Sequence, residues 1–159
     1  MFKLIGGAIV MIAATLLGMA KYNELCERRK ALADIHAGGV KILNALRCMC
    51  LPLYECFKEG GGFFSEAARI METGPLPGEA VREAAGKWHM LTKEDREIIS
   101  RFSGGLSAQD CKGQISNTQL FLKELEGAIK DAQHQLETRG KLFVKGSILS
   151  AAAVVLLLL

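Results

Sequence analysis

The chain has 159 residues, 50% of them hydrophobic and 6% aromatic, with 20 Lys and Arg against 17 Asp and Glu for a net charge of +3. That length, with three prolines and an apolar segment at each end, fits one small domain and excludes an ordinary two-domain enzyme. Basic and acidic residues are interspersed rather than gathered into a stripe, which excludes a nucleic-acid footprint.

Between Lys3 and Lys21 run seventeen uncharged residues, LIGGAIVMIAATLLGMA. As a helix they cover about 25 Å of a roughly 30 Å hydrocarbon layer, so residues 1–20 are expected to form a short transmembrane segment. Gly18 and Ala20 also offer small residues for a signal-peptide cut, but Lys21, Arg28, Arg29 and Lys30 follow at once and by the positive-inside rule hold the next region in the cytoplasm.

Leu25, Leu32, Ile35, Gly39, Ile42, Leu46, Met49 and Leu53 then recur at heptad steps, which predicts a long helix continuing out of the membrane segment. Pro52 and Gly60 to Gly62 are expected to end it, and Gly39 on the seam invites close approach of another helix. Shorter helices are predicted around 63–72 and 79–90, the second turning Val81, Ala84, Ala85 and Trp88 inward. Thr92 to Asp95 reads as a capping box opening a third, through Ile98, Ile99 and Phe102, and Ser107 with Asp110 repeats that start signal. From there Ile115, Thr118, Leu122, Leu125, Ile129, Ala132 and Leu136 mark a second long seam running toward Phe143.

The chain ends in GSILSAAAVVLLLL, extended back to Leu142 if Lys145 snorkels, which gives a second membrane segment over residues 142–159. The expected fold is all-α: an antiparallel helical bundle over 21–141, its two long helices continuing into the N- and C-terminal membrane segments, with about three shorter helices between. Both termini would face outward and the middle the cytoplasm. Small residues four apart, Ala14 with Gly18 and Ser147 with Ala151, are expected to let the two membrane helices touch.

Five cysteines, an odd number without regular spacing, point to a reducing compartment. Cys48, Cys50 and Cys56 with one of His36, His89 or His134 would be an imaginable zinc set, but residues two apart on a helix point about 200° apart. No phosphate-loop sequence follows the glycine clusters, and the acids Glu94, Asp95 and Glu97 suit a helix start. No catalytic constellation, cofactor or metal is expected. A membrane enzyme using Cys111 beside Asp110 is the remaining enzyme reading.

Most specific is the run Phe102-Ser103-Gly104-Gly105-Leu106-Ser107-Ala108-Gln109-Asp110, closed by Gln114. It resembles the pattern of the stage III sporulation protein AB family, with Phe102, Leu106, Asp110 and Gln114 matching and Ser103 and Ser107 standing where the family has glycine. The resemblance covers nearly the whole chain. It implies a structural component of the mother-cell to forespore channel, required for endospore formation and lodged in the mother-cell membrane. It is similar to the inner-membrane platform proteins of type II secretion and type IV pilus systems, which implies a secretion-type ATPase and other membrane proteins of the channel as partners. The lipid bilayer is a further expected partner, and a homo-oligomer is left open. A small membrane-anchored helical sensor or regulator, hinged at Gly38 and Gly39, is the alternative.

Overall fold

The computed structural model describes residues 2–49, 51–106, 110–140, 142, 143, 146, 149 and 153. Six α-helices follow in order: α1 (Phe2–Met49), α2 (Leu53–Gly60), α3 (Gly62–Met71), α4 (Pro77–Lys87), α5 (Lys93–Gly104) and α6 (Cys111–Gln135), closed by a π-helical stretch Leu136–Gly140. No strand occurs among the described residues, and the fold is an all-helical bundle.

Four short helices lie between the long ones, not about three. Pro52 does not simply stop α1; it stands just before α2, where its missing N–H is no loss, and its carbonyl accepts from the Cys56 N–H at 3.1 Å. Leu53 therefore opens α2 instead of ending the first seam. Gly61 (φ +69°) and Gly62 (φ +45°) turn the chain from α2 into α3 with a backbone that other residues rarely adopt. At α4, Pro77 takes the first helical position and the Glu79 carboxylate accepts the Leu76 N–H at 3.4 Å. At α5 the capping box is complete: Thr92 Oγ1 accepts from the Asp95 N–H at 3.3 Å, and Asp95 Oδ2 accepts from the Thr92 N–H at 3.0 Å.

The chain divides into two compact units, residues 1–29 with 131–159 and residues 30–130. In the 30–130 unit, α1 and α6 run antiparallel. Cys111 meets the Leu46 carbonyl, Gly39 faces Leu122 and His36 faces Glu126, so numbers rise on one helix as they fall on the other. The seam residues Leu32, Ile35, Ile42, Leu46, Thr118, Leu122 and Leu125 are buried here, together with Phe57, Phe63, Phe64, Val81, Ile99 and Phe121. Gly38 and Gly39 do not break α1. A Cβ at Gly38 would stand 2.8 Å from both the Gly60 carbonyl and the Phe64 ring, and one at Gly39 would stand 2.8 Å from Leu122, so both positions serve close packing.

In the other unit, Tyr22 packs on Gly140, Arg28 donates to Gln135 Oε1 and Arg29 to Gln133 Oε1, each at 3.2 Å, again an antiparallel order. Ala132 is buried, whereas Ile12, Leu16, Leu17 and Met19 are 53 to 70% exposed. Among the described residues no helix is long and apolar enough to cross a membrane. The side chains of residues 2–11 and most of 142–159 lie outside the described residues.

Candidate functional site

The family-pattern residues meet at the connection from α5 to α6. Phe102, on the last turn of α5, is buried and stacks on Phe121 of α6, ring centroids 4.2 Å apart and planes 16° apart. Phe64 of α3 meets both rings edge-on, at 6.3 and 6.5 Å. Such offset and edge contacts each add about 0.5–1.5 kcal/mol beyond burial. Phe64 also touches Phe57 and Phe63, and Phe63 meets Trp88, so one aromatic chain links α2, α3, α5 and α6 and reaches the end of α4.

The backbone of the turn is equally bound. The Gly105 and Leu106 N–H groups donate to the Phe102 and Ser103 carbonyls, and Leu106 is buried. Ser103 is fully buried and satisfies its hydroxyl on the Ser100 carbonyl at 2.7 Å. Ser107 lies outside the described residues. Asn117 on α6 reaches back and donates to the Phe102 carbonyl at 2.9 Å. A Cβ on Gly105 would stand 2.6 Å from the Asn117 amide, so the turn accepts only glycine there without a shift. Asp110 caps α6: its carboxylate accepts the Gly113 N–H and its carbonyl the Gln114 N–H, both at 3.0 Å. The Gln114 carbonyl in turn accepts from Thr118 Oγ1 at 2.7 Å.

Phe102 and Leu106 are thus core residues and Asp110 a cap, and together they hold α5 against α6. What they present outward is a small cleft lined by Arg101, Phe102, Asn117, Leu120, Phe121 and Glu124. Arg101 spans it to Glu124 at 3.2 Å, and Leu120 beside it is 58% exposed. Arg101, Asn117, Leu120 and Glu124 are not singled out by the sequence pattern. Leu120 carries a signal, an aliphatic residue off the three-and-four line of the second seam; Asn117 carries none, because its partner is a carbonyl in another helix.

The other candidates fall apart in space. The Cys111 thiol donates to the Leu46 carbonyl at 3.6 Å, and Asp110 serves its own helix start. Cys56 is buried, which pushes its thiol pKa up, and Cys48 is exposed. Among the described residues no three His, Cys, Asp or Glu side chains gather as a metal set would require. Asp95 is buried in its capping box rather than solvated. Of the residues expected at a membrane helix contact, Gly18 is buried and Ala14 half-buried, while Ser147 and Ala151 lie outside the described residues.

Neither the curated proteins nor the solved structures compared with the chain include a match. A family model does match, over residues 3–159 and so through both apolar ends, the helical middle and the Phe102 to Gln114 turn: the chain belongs to the stage III sporulation protein AB family.

Proposed function

We propose that this protein is a membrane-anchored structural component of the mother-cell to forespore channel, presenting a cytoplasmic helical unit to a secretion-type ATPase. The observation that carries the reading is membership of a stage III sporulation family over essentially the whole chain. Membrane anchoring is supported by the uncharged run from Leu4 to Ala20, by the basic residues that follow it, and by the outward exposure of Ile12, Leu16, Leu17 and Met19, a band of large apolar side chains that water disfavours. In this reading the chain catalyses nothing and acts by position. Phe102 stacks on Phe121 to hold α5 against α6, and Leu120, on α6 in the cleft that the Arg101–Glu124 pair spans, is the docking point.

Capture of the tagged full chain from sporulating cells tests this. The secretion-type ATPase made in the same cells is expected to co-purify, and Leu120→Asp to lower its recovery at least about ten-fold, as loss of an apolar anchor at an interface does, while the helical circular dichroism stays unchanged. Recovery of the channel's membrane proteins without the ATPase, or an ATPase yield untouched by Leu120→Asp, would overturn the docking reading. Topology is tested separately. A membrane-impermeant thiol reagent added to intact cells should leave Cys48 unmodified, although that residue is exposed.

A further inference from the structure

Carried on in three-and-four steps beyond Leu136, the second seam of the sequence reaches Arg139, Phe143 and Gly146 and, seven residues further, Ala153. All four are exposed. The buried residue is Gly140, the next along the chain from Arg139, and a Cβ there would stand 2.9 Å from the Tyr22 ring of α1. Ala132 and Leu136, which precede the slip, keep to the seam as buried and half-buried residues. The slip of one residue coincides with the π-helical stretch Leu136–Gly140. A π turn is closed by a bond to the fifth residue along where an α turn uses the fourth, so it houses one residue more. Two side-chain bonds brace it: Gln133 Nε2 donates to Glu137 Oε1 at 2.6 Å, and Thr138 Oγ1 to the His134 carbonyl at 2.7 Å.

We propose that this π turn is a phase-setting joint, which selects the face that the helical segment beyond it turns toward α1. Successive residues of an α-helix point about 100° apart, so an uninterrupted helix brings Arg139 to the Tyr22 ring in place of Gly140. A long charged side chain then stands at the point of closest approach. With the extra residue the two exchange places: glycine, which has no Cβ, lies at the contact, Arg139 stays outside, and Phe143, Gly146 and Ala153 turn outward with it. Single π turns set into α-helices occur frequently at functional sites. Here the heptad line of the sequence points one face of the segment at α1, and the joint delivers another. The inference concerns the geometry of the chain and does not depend on the membrane or channel reading. The joint works through the length of the turn rather than through any one side chain in it, so one residue inside it is dispensable for the contact with α1.

Paired cysteines test this in the full chain, purified in mild detergent with its five native cysteines replaced by alanine. Tyr22→Cys, which also removes the ring that a side chain at 140 would meet, is combined with Gly140→Cys or with Arg139→Cys and treated with a thiol crosslinker one methylene long. The 22–140 pair is expected to link within one chain at least about five-fold more than the 22–139 pair, since neighbouring helical positions point about 100° apart. Thr138 is then deleted from both. The turn becomes an α turn, the residue that was Gly140 keeps its place on α1, and the preference for the 22–140 pair is expected to persist. Deletion of Glu137 instead, in the same turn, should give the same result. The unfolding midpoint followed by Trp88 is expected to be unchanged by either deletion. A preference for the 22–139 pair in the chain of full length would overturn the proposal, because the helix would then run on without the slip. So would a deletion that moves the preference to 139, abolishes both links or lowers the midpoint, because the extra residue would then not be the one that the joint houses.

Discussion

The two compact units solve the problem of apolar surface in opposite ways. In residues 30–130 the large side chains face inward: Phe57, Phe63, Phe64, Phe121, Ile35 and Leu125 are all 0 or 1% exposed, and the polar groups that enter, such as Ser103 and Thr118, bond to backbone carbonyls. In residues 1–29 with 131–159 the helix–helix contacts include Arg28 with Gln135 and Arg29 with Gln133, while Leu16 and Leu17 stand 62 and 70% exposed. Part-buried polar contacts and exposed large apolar side chains therefore occur together in this unit, the reverse of the 30–130 core. The difference is between a unit that buries its large apolar side chains in a core of its own and a unit in which several of them stay exposed.

The comparison breaks most easily at the aromatic cluster. Phe121→Ala removes a ring stacked on Phe102 and edge-on to Phe64, and a buried Phe→Ala change costs about 3–5 kcal/mol. Leu46→Ala and Leu125→Ala belong to the same class, at about 2–5 kcal/mol each. Against a typical domain stability of about 5–15 kcal/mol these are large losses. They are read from unfolding midpoints followed by the single tryptophan, Trp88, which packs on Phe63. Leu16→Ala, in the other unit, should move that midpoint by less than about 0.5 kcal/mol, as exposed substitutions do, and show instead as weaker retention of the chain in membranes. Equal losses from Leu16→Ala and Leu125→Ala would erase the distinction.

Glycines sharpen it next. Gly38→Ala drives a methyl against the Gly60 carbonyl, a backbone atom that cannot swing away, and overpacking of this kind costs about 1–3 kcal/mol. Gly86→Ala, within α4 and with nothing within 4 Å, should instead stabilise by about 0.4–1 kcal/mol, because the alanine loses less freedom on folding. The same residue change thus has opposite signs at two sites in one unit, and the pair of midpoints checks both.

The two heptad seams were legible because burial by a single partner face imposes three-and-four spacing, and Leu32, Ile35, Gly39, Ile42, Leu46, Thr118, Leu122, Leu125 and Ala132 all follow it into buried positions. Phe121, Ala128, Leu43 and Ala31 are also buried but lie off those lines, because each long helix packs against more than one neighbour and its buried stripe is wider than a two-helix seam. The helix α2 was hidden by Pro52, whose residue type signals a stop and a start equally well. Of the turn between α5 and α6, the residues Phe102, Leu106 and Asp110 were readable; the Asn117 bond to the Phe102 carbonyl was not, since a side chain reaching a backbone atom of another helix leaves no periodic trace.

That turn provides a smaller test. Asp110→Ala removes the carboxylate that accepts the Gly113 N–H and leaves a donor of the first turn of α6 without it. Loss of a helix cap costs about 0.5–2 kcal/mol. Asp110→Asn keeps the acceptor and is expected to recover most of the loss. If Asn fails where the midpoint falls with Ala, the charge at the helix start rather than the cap bond is responsible.

The smallest effect is a pH dependence in the water-excluding unit. Glu66 on α3 accepts from Arg69 Nη2 at 2.8 Å and Nε at 3.1 Å, and from Lys87 Nζ on α4 at 3.1 Å. The Arg69 bonds first, and the Lys87 bond second, hold its carboxyl below the usual carboxylate pKa. A depressed carboxylate stabilises the fold while ionised, so its contribution is fully present above the ordinary value and fades as pH falls through the lowered one. Glu66→Gln removes the ionisation. The gap between the two unfolding midpoints should therefore be steady near neutral pH and narrow as the solution is acidified through and below the usual Glu range. The gap is expected to be small, since surface ion pairs contribute little in water, and added salt should narrow it at neutral pH as well. A gap that stays constant down the acid range would mean that the side chain acts by packing between α3 and α4, and that the Arg69 and Lys87 bonds add nothing to holding those helices together.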